Sequence, residues 1–221
     1  MKPPMGPVIS RPDLWKFDMH VHSVYSGDSF NEPGIISDNF RKTGILPLVC
    51  DHNTTAGSAA VSHDLRKIDP QIPEILAEEV MTRQGEVVGL FLSEMVPAYL
   101  DIRETMDLIH GQGGLVLLPH PFCSWRGSRL WEEYAAEIVR CIDIVEGFNG
   151  RVIHAEENAA AREFAGRYNK PISVGSDSHR PQDLGRWWLE LEPFSTPEEL
   201  MKALLAGTVR FPVLERFPEE K

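Results

Sequence analysis

Short apolar runs alternate with stretches of helical periodicity along the chain, and turn residues mark the breaks between them. "KFDMHVH" predicts a strand, followed by a helix over 33–43 that Gly44 stops. "ILPLVCD" predicts a second strand and 57–67 a second helix. "EILAEEVMT" and "EVVGLFL" predict two more strands, joined by a turn around Arg83-Gln84-Gly85. Asp101 caps a predicted helix that runs to His110 and ends at Gly111. The alternation continues through "GLVLLPH", a helix over 130–140, "IDIVEGF", a helix over 153–168 and "PISVGSD". "RWWLELEP" predicts a last strand or extended edge, and 196–206 a final helix with Thr196 as cap and Pro197 in its first turn. These six or seven βα units, with no linker or repeat between them, point to one α/β domain of parallel strands. Both an open doubly wound sheet and a closed barrel satisfy that pattern. No GxxxxGK[ST] or GxGxxG is present, which weakens a nucleotide-binding fold.

The polar residues that end the runs are of one chemical kind. The first strand carries His20 and His22, the second ends in Asp51-His52, and the third holds Glu78-Glu79. Later runs end at His120, at Glu146, and in Asp177 with His179. Residues two apart on a strand share a face, so His20 and His22 can bind one ion together, as can Asp177 and His179. In βα barrels chemistry gathers at the carboxyl ends of the strands, where these residues would converge. A lone strand-end histidine is an ordinary polar group, but five of the eight histidines fall in such places. His63, His110 and His154 lie in predicted helices and are assigned structural roles. Imidazoles and carboxylates without thiolates suit Zn, Mn or Fe(II).

Composition narrows the class. The 221 residues suffice for one sizeable core, and 42% hydrophobic with 25% charged residues fits a globular chain. A net charge of −11 argues against long nucleic acid as a partner, although bound cations would leave anionic small molecules acceptable. Cys50, Cys123 and Cys141 form no CxxC pair, which predicts a reducing compartment rather than a disulfide framework. The Pro-rich start lacks the apolar run of a signal peptide and no stretch reaches membrane-spanning length, so a cytoplasmic location is expected. The pattern does not speak to oligomeric state.

In order, "DMHVHSVYSGDS", "VCDHNT", "AEEVMT", "LPHPF" and "VGSDSH" resemble the motifs of the PHP domain family, named for polymerase and histidinol phosphatase, over roughly residues 17–180. The resemblance implies a distorted seven-stranded (β/α)7 barrel, TIM-barrel-like, forming a single domain over 17–221 after a lead-in of 1–16. It implies two or three divalent ions at the carboxyl ends of the strands. His20 and His22 would share the first with Glu79 and Asp177, Glu79 would bridge to a second held also by His120, and Asp28, His52 and His179 would take a third. Aligning "AEEV" with the family's Gly-x-Glu pattern selects Glu79 over Glu78. Family members commonly place a histidine shortly after this glutamate, where this chain offers Glu86 as a harder ligand.

The implied activity is hydrolysis of a phosphate ester of a small molecule or nucleotide by a metal-bridging hydroxide, with Asp177 or His179 assisting proton transfer. Arg126 and Arg129, followed by Asn149 and Arg151 after the next strand, are candidates to grip the phosphate. Trp125 beside them offers a stacking face, although packing is the more ordinary use of a tryptophan. An amidohydrolase-like enzyme is the rival reading, but it would usually carry a bridging lysine, and none lies between Lys67 and Lys170. A non-catalytic binding module of the same fold is the other alternative.

Overall fold

The structure is a computed structural model and describes residues 14–130 and 132–206. Its first half runs β1 (Trp15–Val21), α1 (Pro33–Thr43), β2 (Ile45–Val49), α2 (Ala56–Ile68), β3 (Ala77–Met81) and β4 (Glu86–Leu90). Then follow α3 (Ile102–Gly111), β5 (Leu115–Leu118), α4 (Glu132–Ile138), β6 (Ile144–Asn149), α5 (Ala155–Arg167), β7 (Ile172–Gly175), β8 (Leu189–Leu191) and α6 (Pro197–Leu205).

Local chemistry sets the boundaries. Pro33 opens α1 with its φ already helical, and Gly44 closes it in the left-handed conformation (φ 69°), its N–H donating to Phe40 O at 2.8 Å. The side chains of Asp101 and Thr196 accept from Arg103 N and Glu199 N and so cap α3 and α6. The expected lead-in, 1–16, lies outside the described residues except for its last three, and Trp15 and Lys16 already belong to β1.

The expectation of a seven-stranded (β/α)7 barrel of parallel strands is overturned. The strands form two mixed sheets, a three-stranded one in the order β2-β1-β8 and a five-stranded one in the order β3-β4-β5-β6-β7. β1 pairs parallel with β2 and antiparallel with β8, while β4 is antiparallel to both β3 and β5. Only β5, β6 and β7 keep the parallel arrangement in the larger sheet. The reason is connection length. A parallel crossover needs a dozen or so residues, whereas Thr82–Gly85 is a tight turn in which Thr82 N–H donates to Gly85 O at 2.8 Å. β3 and β4 can therefore only be a hairpin.

The two sheets do not close on each other through continuous ladders. They meet at isolated bridges, Val21 with Ser178 and His52 with Glu79. Asp177 N–H donates to His20 O at 2.7 Å and Glu79 N–H to Asp51 O at 3.0 Å. Asp18, fully buried, reinforces the seam by accepting from Ser176 N at 2.8 Å. The seam carries the strand ends singled out above.

One core packs Phe17, Met19 and Val21 of β1 against α1, α2 and α6, with Phe194 set edge-on to Phe17 at 5.3 Å. A second packs Ile102, Met106 and Ile109 of α3 and Phe164 of α5 against the larger sheet. β5 serves both, sending Leu117 to the first and Val116 and Leu118 to the second, as expected of a strand covered on both faces. No helix among the described residues is long and apolar enough to cross a membrane. His63 and His154 are exposed, and His110 pairs with Asp143 at 2.8 Å on the surface, away from the seam.

Gly57, in the first turn of α2, lies so close to the seam that an added Cβ would sit 1.7 Å from Asp51 Oδ2 and 2.3 Å from Ser23 Oγ. Gly57→Ala is expected to lower stability by about 1–3 kcal/mol in denaturant titrations, the usual cost of overpacking. Gly34→Ala in α1, where nothing lies within 4 Å, should instead hold or gain about 0.5–1 kcal/mol.

Candidate metal centre

The period-two alternation of β1 carries its polar face on to His22, so that His20 and His22 both project into the seam, fully buried. Their Nε2 atoms approach to 3.0 Å. The far side of each ring is held by a group that decides where its proton sits. His20 Nδ1 lies 3.0 Å from Glu146 Oε1, and an ionised carboxylate can only accept, so the proton is on Nδ1. His22 Nδ1 lies 2.9 Å from Ser26 Oγ, whose single proton goes to Asp51 Oδ1 at 2.8 Å. Ser26 therefore accepts from His22 as well as from His52 N–H, which again puts the ring proton on Nδ1.

With Nδ1 committed, the Nε2 atom of each ring is the one that points into a space whose other walls are carboxylate oxygens. Glu79 Oε2 stands 3.3 Å from His22 Nε2, 3.7 Å from His20 Nε2 and 3.1 Å from His52 Nδ1. Its other oxygen faces His120 Nε2 at 2.9 Å, so the carboxylate looks into two compartments at once. Asp177 Oδ1 lies 3.5 Å from both His22 Nε2 and His179 Nδ1. Glu86, at the start of β4, completes the far side, 3.8 Å from His52 Nδ1 and 3.7 Å from His120 Nε2. Asp28 sits half-exposed at the rim, 3.2 Å from His179 Nε2 and 3.6 Å from His52 Nε2.

This donor set fits divalent cations. Among the described residues, four groups bring a ligand atom from each member within 4.8 Å of the others: His20–His22–Glu79, His20–His120–Asp177, His22–His52–His179 and His52–Glu79–Glu86. Glu79 Oε2, Glu86 Oε2 and Asp177 Oδ1 are buried and make no hydrogen bond within the protein. Buried acceptors left in that condition are costly unless a cation meets them. His120 (φ 27°) and Asp177 (φ 53°) also hold left-handed backbone, strain of a kind that concentrates at functional sites.

The electrostatics agree. Burial alone would raise the Glu79 carboxyl, but His20, His120 and His22 outweigh it and hold it well below the ordinary range. Burial is likewise outweighed at Asp177 by His20, Arg126 and His22, which keep it low. Burial pulls His52 down, yet Glu79, Glu86 and Asp28 lift it to about 9, and His20 is also raised, by Cys50, Glu146, Asp177 and Glu79. The field that holds protons there is the field a divalent cation would meet in their place. Glu86 is pushed up by burial and by the charge of Glu79.

All nine sequence-predicted ligand positions come to this seam, though Asp28 only at its edge. Glu78, one residue from Glu79, points the other way, accepts from Val96 N at 2.5 Å and is pushed by burial to about 7. Of the four phosphate-gripping candidates, Arg126 and Arg151 reach the site. Arg126 pairs with Asp177 Oδ2, and Arg151 lies 2.8 Å from His179 Nδ1 and 3.6 Å from Asp177 Oδ1. Both guanidiniums sit over the Trp125 ring, at 4.6 and 5.6 Å from its centroid. Arg129 instead donates to the carbonyls of Cys123 and Ser124. Asn149 is inserted between two carboxylates, 3.0 Å from Glu146 Oε2 and 3.0 Å from Asp177 Oδ2. Sequence reasoning placed Asp51 and Glu146 among the converging strand-end residues but gave neither a ligand or supporting role, and it did not single out Ser26. Glu146 is the lone acid in the buried run "IVEGF", and that was its available signal.

An α/β chain whose strand ends carry a buried cluster of imidazoles and carboxylates has the donor chemistry of a metal site. Comparison with known proteins makes this specific. A family model described as PHP-associated matches residues 155–209. The uncharacterized protein MJ0417 of Methanocaldococcus jannaschii is 35% identical over 203 residues, 87% of this chain and 80% of its own. The chain belongs to the PHP family. A two-domain protein from Bacteroides vulgatus containing a predicted PHP-like metal-dependent phosphoesterase superposes with a TM-score of 0.69 at 19% identity, over 96% of this chain and 69% of that one. An amidohydrolase from Chromobacterium violaceum with bound sulfate superposes with a TM-score of 0.66 at 17% identity, over 85% and 96%. At those identities the superpositions establish the fold.

Adding Zn or Mn should raise the melting temperature of the protein, since an ion at about 100 times its Kd stabilises by roughly 2.7 kcal/mol. Glu79→Gln should lose most of that rise, measured by scanning calorimetry with and without the ion. An equal rise in both proteins would remove Glu79 from the cluster.

Proposed function

We propose that this protein is a metal-dependent phosphoesterase acting on a small phosphorylated molecule. The observation that carries the reading is the juxtaposition of a buried cluster of imidazoles and carboxylates with two guanidinium groups beside it. His20, His22, Glu79 and Asp177 would hold a first ion, Glu79, Glu86 and His120 a second, and His52, His179 and Asp28 a third. Divalent ions in such a cluster supply a water nucleophile at neutral pH and counter-charge for phosphoryl oxygens.

The chain's own groups do the rest. Arg126, nearly buried, and Arg151, more exposed, offer planar donor pairs suited to the oxygens of a phosphate. Trp125 backs both guanidiniums and restricts their rotation. Asp177 anchors Arg126, so substrate oxygens would share that guanidinium with the carboxylate. His179 is lowered to about 4 by burial and by the charges of His22 and Arg151, and Asp177 stays ionised, so at neutral pH both accept protons or ligate rather than donate. They are therefore read as ligands and orienting groups, not as the acid for the leaving oxygen.

The amidohydrolase superposition keeps a second chemistry in view, but the paired arginines favour a phosphate over a neutral amide. A panel of phosphate monoesters and diesters, run in parallel with Mn, Zn and Mg, should show ion-dependent release of phosphate or monoester. The double variant His20→Ala/His22→Ala should abolish it while leaving the chain largely folded, though less stable, as far-ultraviolet circular dichroism would check. Arg126→Ala should lower kcat/KM by about 10- to 100-fold, roughly 1.4–2.8 kcal/mol of transition-state binding. Turnover of a cyclic amide with none on the phosphoester panel would overturn the proposal.

A further inference from the structure

The carboxylate of Glu146 touches no candidate ion site directly, yet it is 1% exposed and every contact it makes leads to one. Its Oε1 meets His20 Nδ1 at 3.0 Å. Its Oε2 accepts from the backbone N–H of His120 at 2.5 Å and from Asn149 Nδ2 at 3.0 Å. The same Asn149 amide also reaches Asp177 Oδ2 at 3.0 Å. His20, His120 and Asp177 come from β1, from the loop after β5 and from the loop after β7, and they form one of the four ligand groups. Glu146 and Asn149, three residues apart at the end of β6, bind all three.

The orientation of the Asn149 amide is fixed independently. Its Oδ1 accepts from Arg151 N at 2.9 Å, which leaves Nδ2, with its two hydrogens, for the two carboxylates. The Asn149 backbone is clamped in turn by Asn158 of α5, which accepts from its N–H at 2.9 Å and donates to its carbonyl at 3.2 Å. Glu146 has no room to swing away. A Cβ on Gly175 would lie 2.5 Å from its Oε1 and 2.3 Å from His20 Cβ, so β7 closes over the pair because that position is glycine. The N–H bond from His120 also holds a residue whose left-handed backbone (φ 27°) no regular strand would maintain.

We infer that Glu146, supported by Asn149, is the positioning residue of the His20–His120–Asp177 group, fixing the Nδ1–H tautomer of His20 so that Nε2 is free to ligate and locking the backbone that aims His120. A carboxylate behind a ligating imidazole sets its tautomer and raises its basicity. Glu146 acts through its neighbours and touches neither substrate nor ion. The inference rests on the metal centre of the proposed function.

The test measures ion binding rather than turnover. Zn and Mn affinities of the parent protein, Glu146→Gln and Asn149→Ala are compared by calorimetry, together with melting temperatures with and without ion. Glu146→Gln keeps the volume but cannot accept at both ends, and it should weaken an ion by about 10- to 100-fold. The ion-dependent rise in melting temperature should shrink, while the ion-free melting temperature stays near that of the parent. Asn149→Ala should move in the same direction by less and serves if the glutamine variant does not fold. In the zinc-loaded parent, ring nitrogen spectra should place the His20 proton on Nδ1. Unchanged affinity in both variants, an equal loss of melting temperature with and without ion, or a His20 proton on Nε2 would each overturn the inference and leave the metal centre standing. A parent protein that binds neither ion would instead defeat the metal centre, and the inference with it.

Discussion

Glu79 is an ionised carboxylate shut off from water, and the fold can keep it there because four imidazoles surround it. Removing such a charge from water costs several kcal/mol even after relaxation, and only opposite charge and directed contacts offset it. The imidazoles of His20, His22, His52 and His120 supply both, from β1 and from the segments that follow β1, β2 and β5. What surrounds them follows from the same requirement. The acids behind the rings, Glu146 for His20 and Asp51 through Ser26 for His22, hold each Nε2 towards Glu79. Protons on the inward nitrogens balance the carboxylate, and a divalent cation would do so in their place.

That requirement explains why the two sheets meet where they do. Continuous ladders stop at the seam, and single bridges at Val21–Ser178 and His52–Glu79 take over. A regular ladder would direct alternate side chains to opposite faces and would hold no residue in left-handed backbone. Breaking it lets His120 and Asp177 aim at the cluster, at a conformational cost of order 1–3 kcal/mol each. Glycines absorb the close approach that results: Gly57 against Asp51 and Gly175 against His20 and Glu146. The two apolar cores on either side, anchored by Phe17 and Phe194 in one and by Phe164 and Ile109 in the other, supply the rigidity against which this strain is held.

Cations and acids lie side by side in the site. Arg126, nearly buried, and Arg151, more exposed, both lie over Trp125 and face Asp177, while Asp28 stands at the rim. An acidic chain can in this way bring two guanidiniums to one place, a distinction that net charge cannot express. Arg129, close in sequence to Arg126, is spent on loop carbonyls instead, which shows how little proximity in sequence says about which guanidinium faces a ligand.

Much of this was legible in the chain. Among the described residues, the eight strands and six α-helices fall on the apolar runs and periodic stretches, α1 at its expected bounds, because burial of alternate or every third to fourth residue is a local property of the pattern. The strand-end histidines and acids were also visible, since they interrupt apolar runs that have no other reason to end on charge. The direction of pairing was misjudged at β3–β4, where the short turn already required a hairpin and the barrel expectation overrode it. Sequence by itself determined which side chains occupy each face of each strand, and hence that His20 and His22 act as a pair. Tertiary structure alone decided that Asn149 joins two carboxylates instead of meeting solvent, and which ring nitrogen carries each proton. Those outcomes depend on side chains carried by different elements, as Glu146 of β6 is brought to His20 of β1 across 126 residues, and no local period encodes such a meeting.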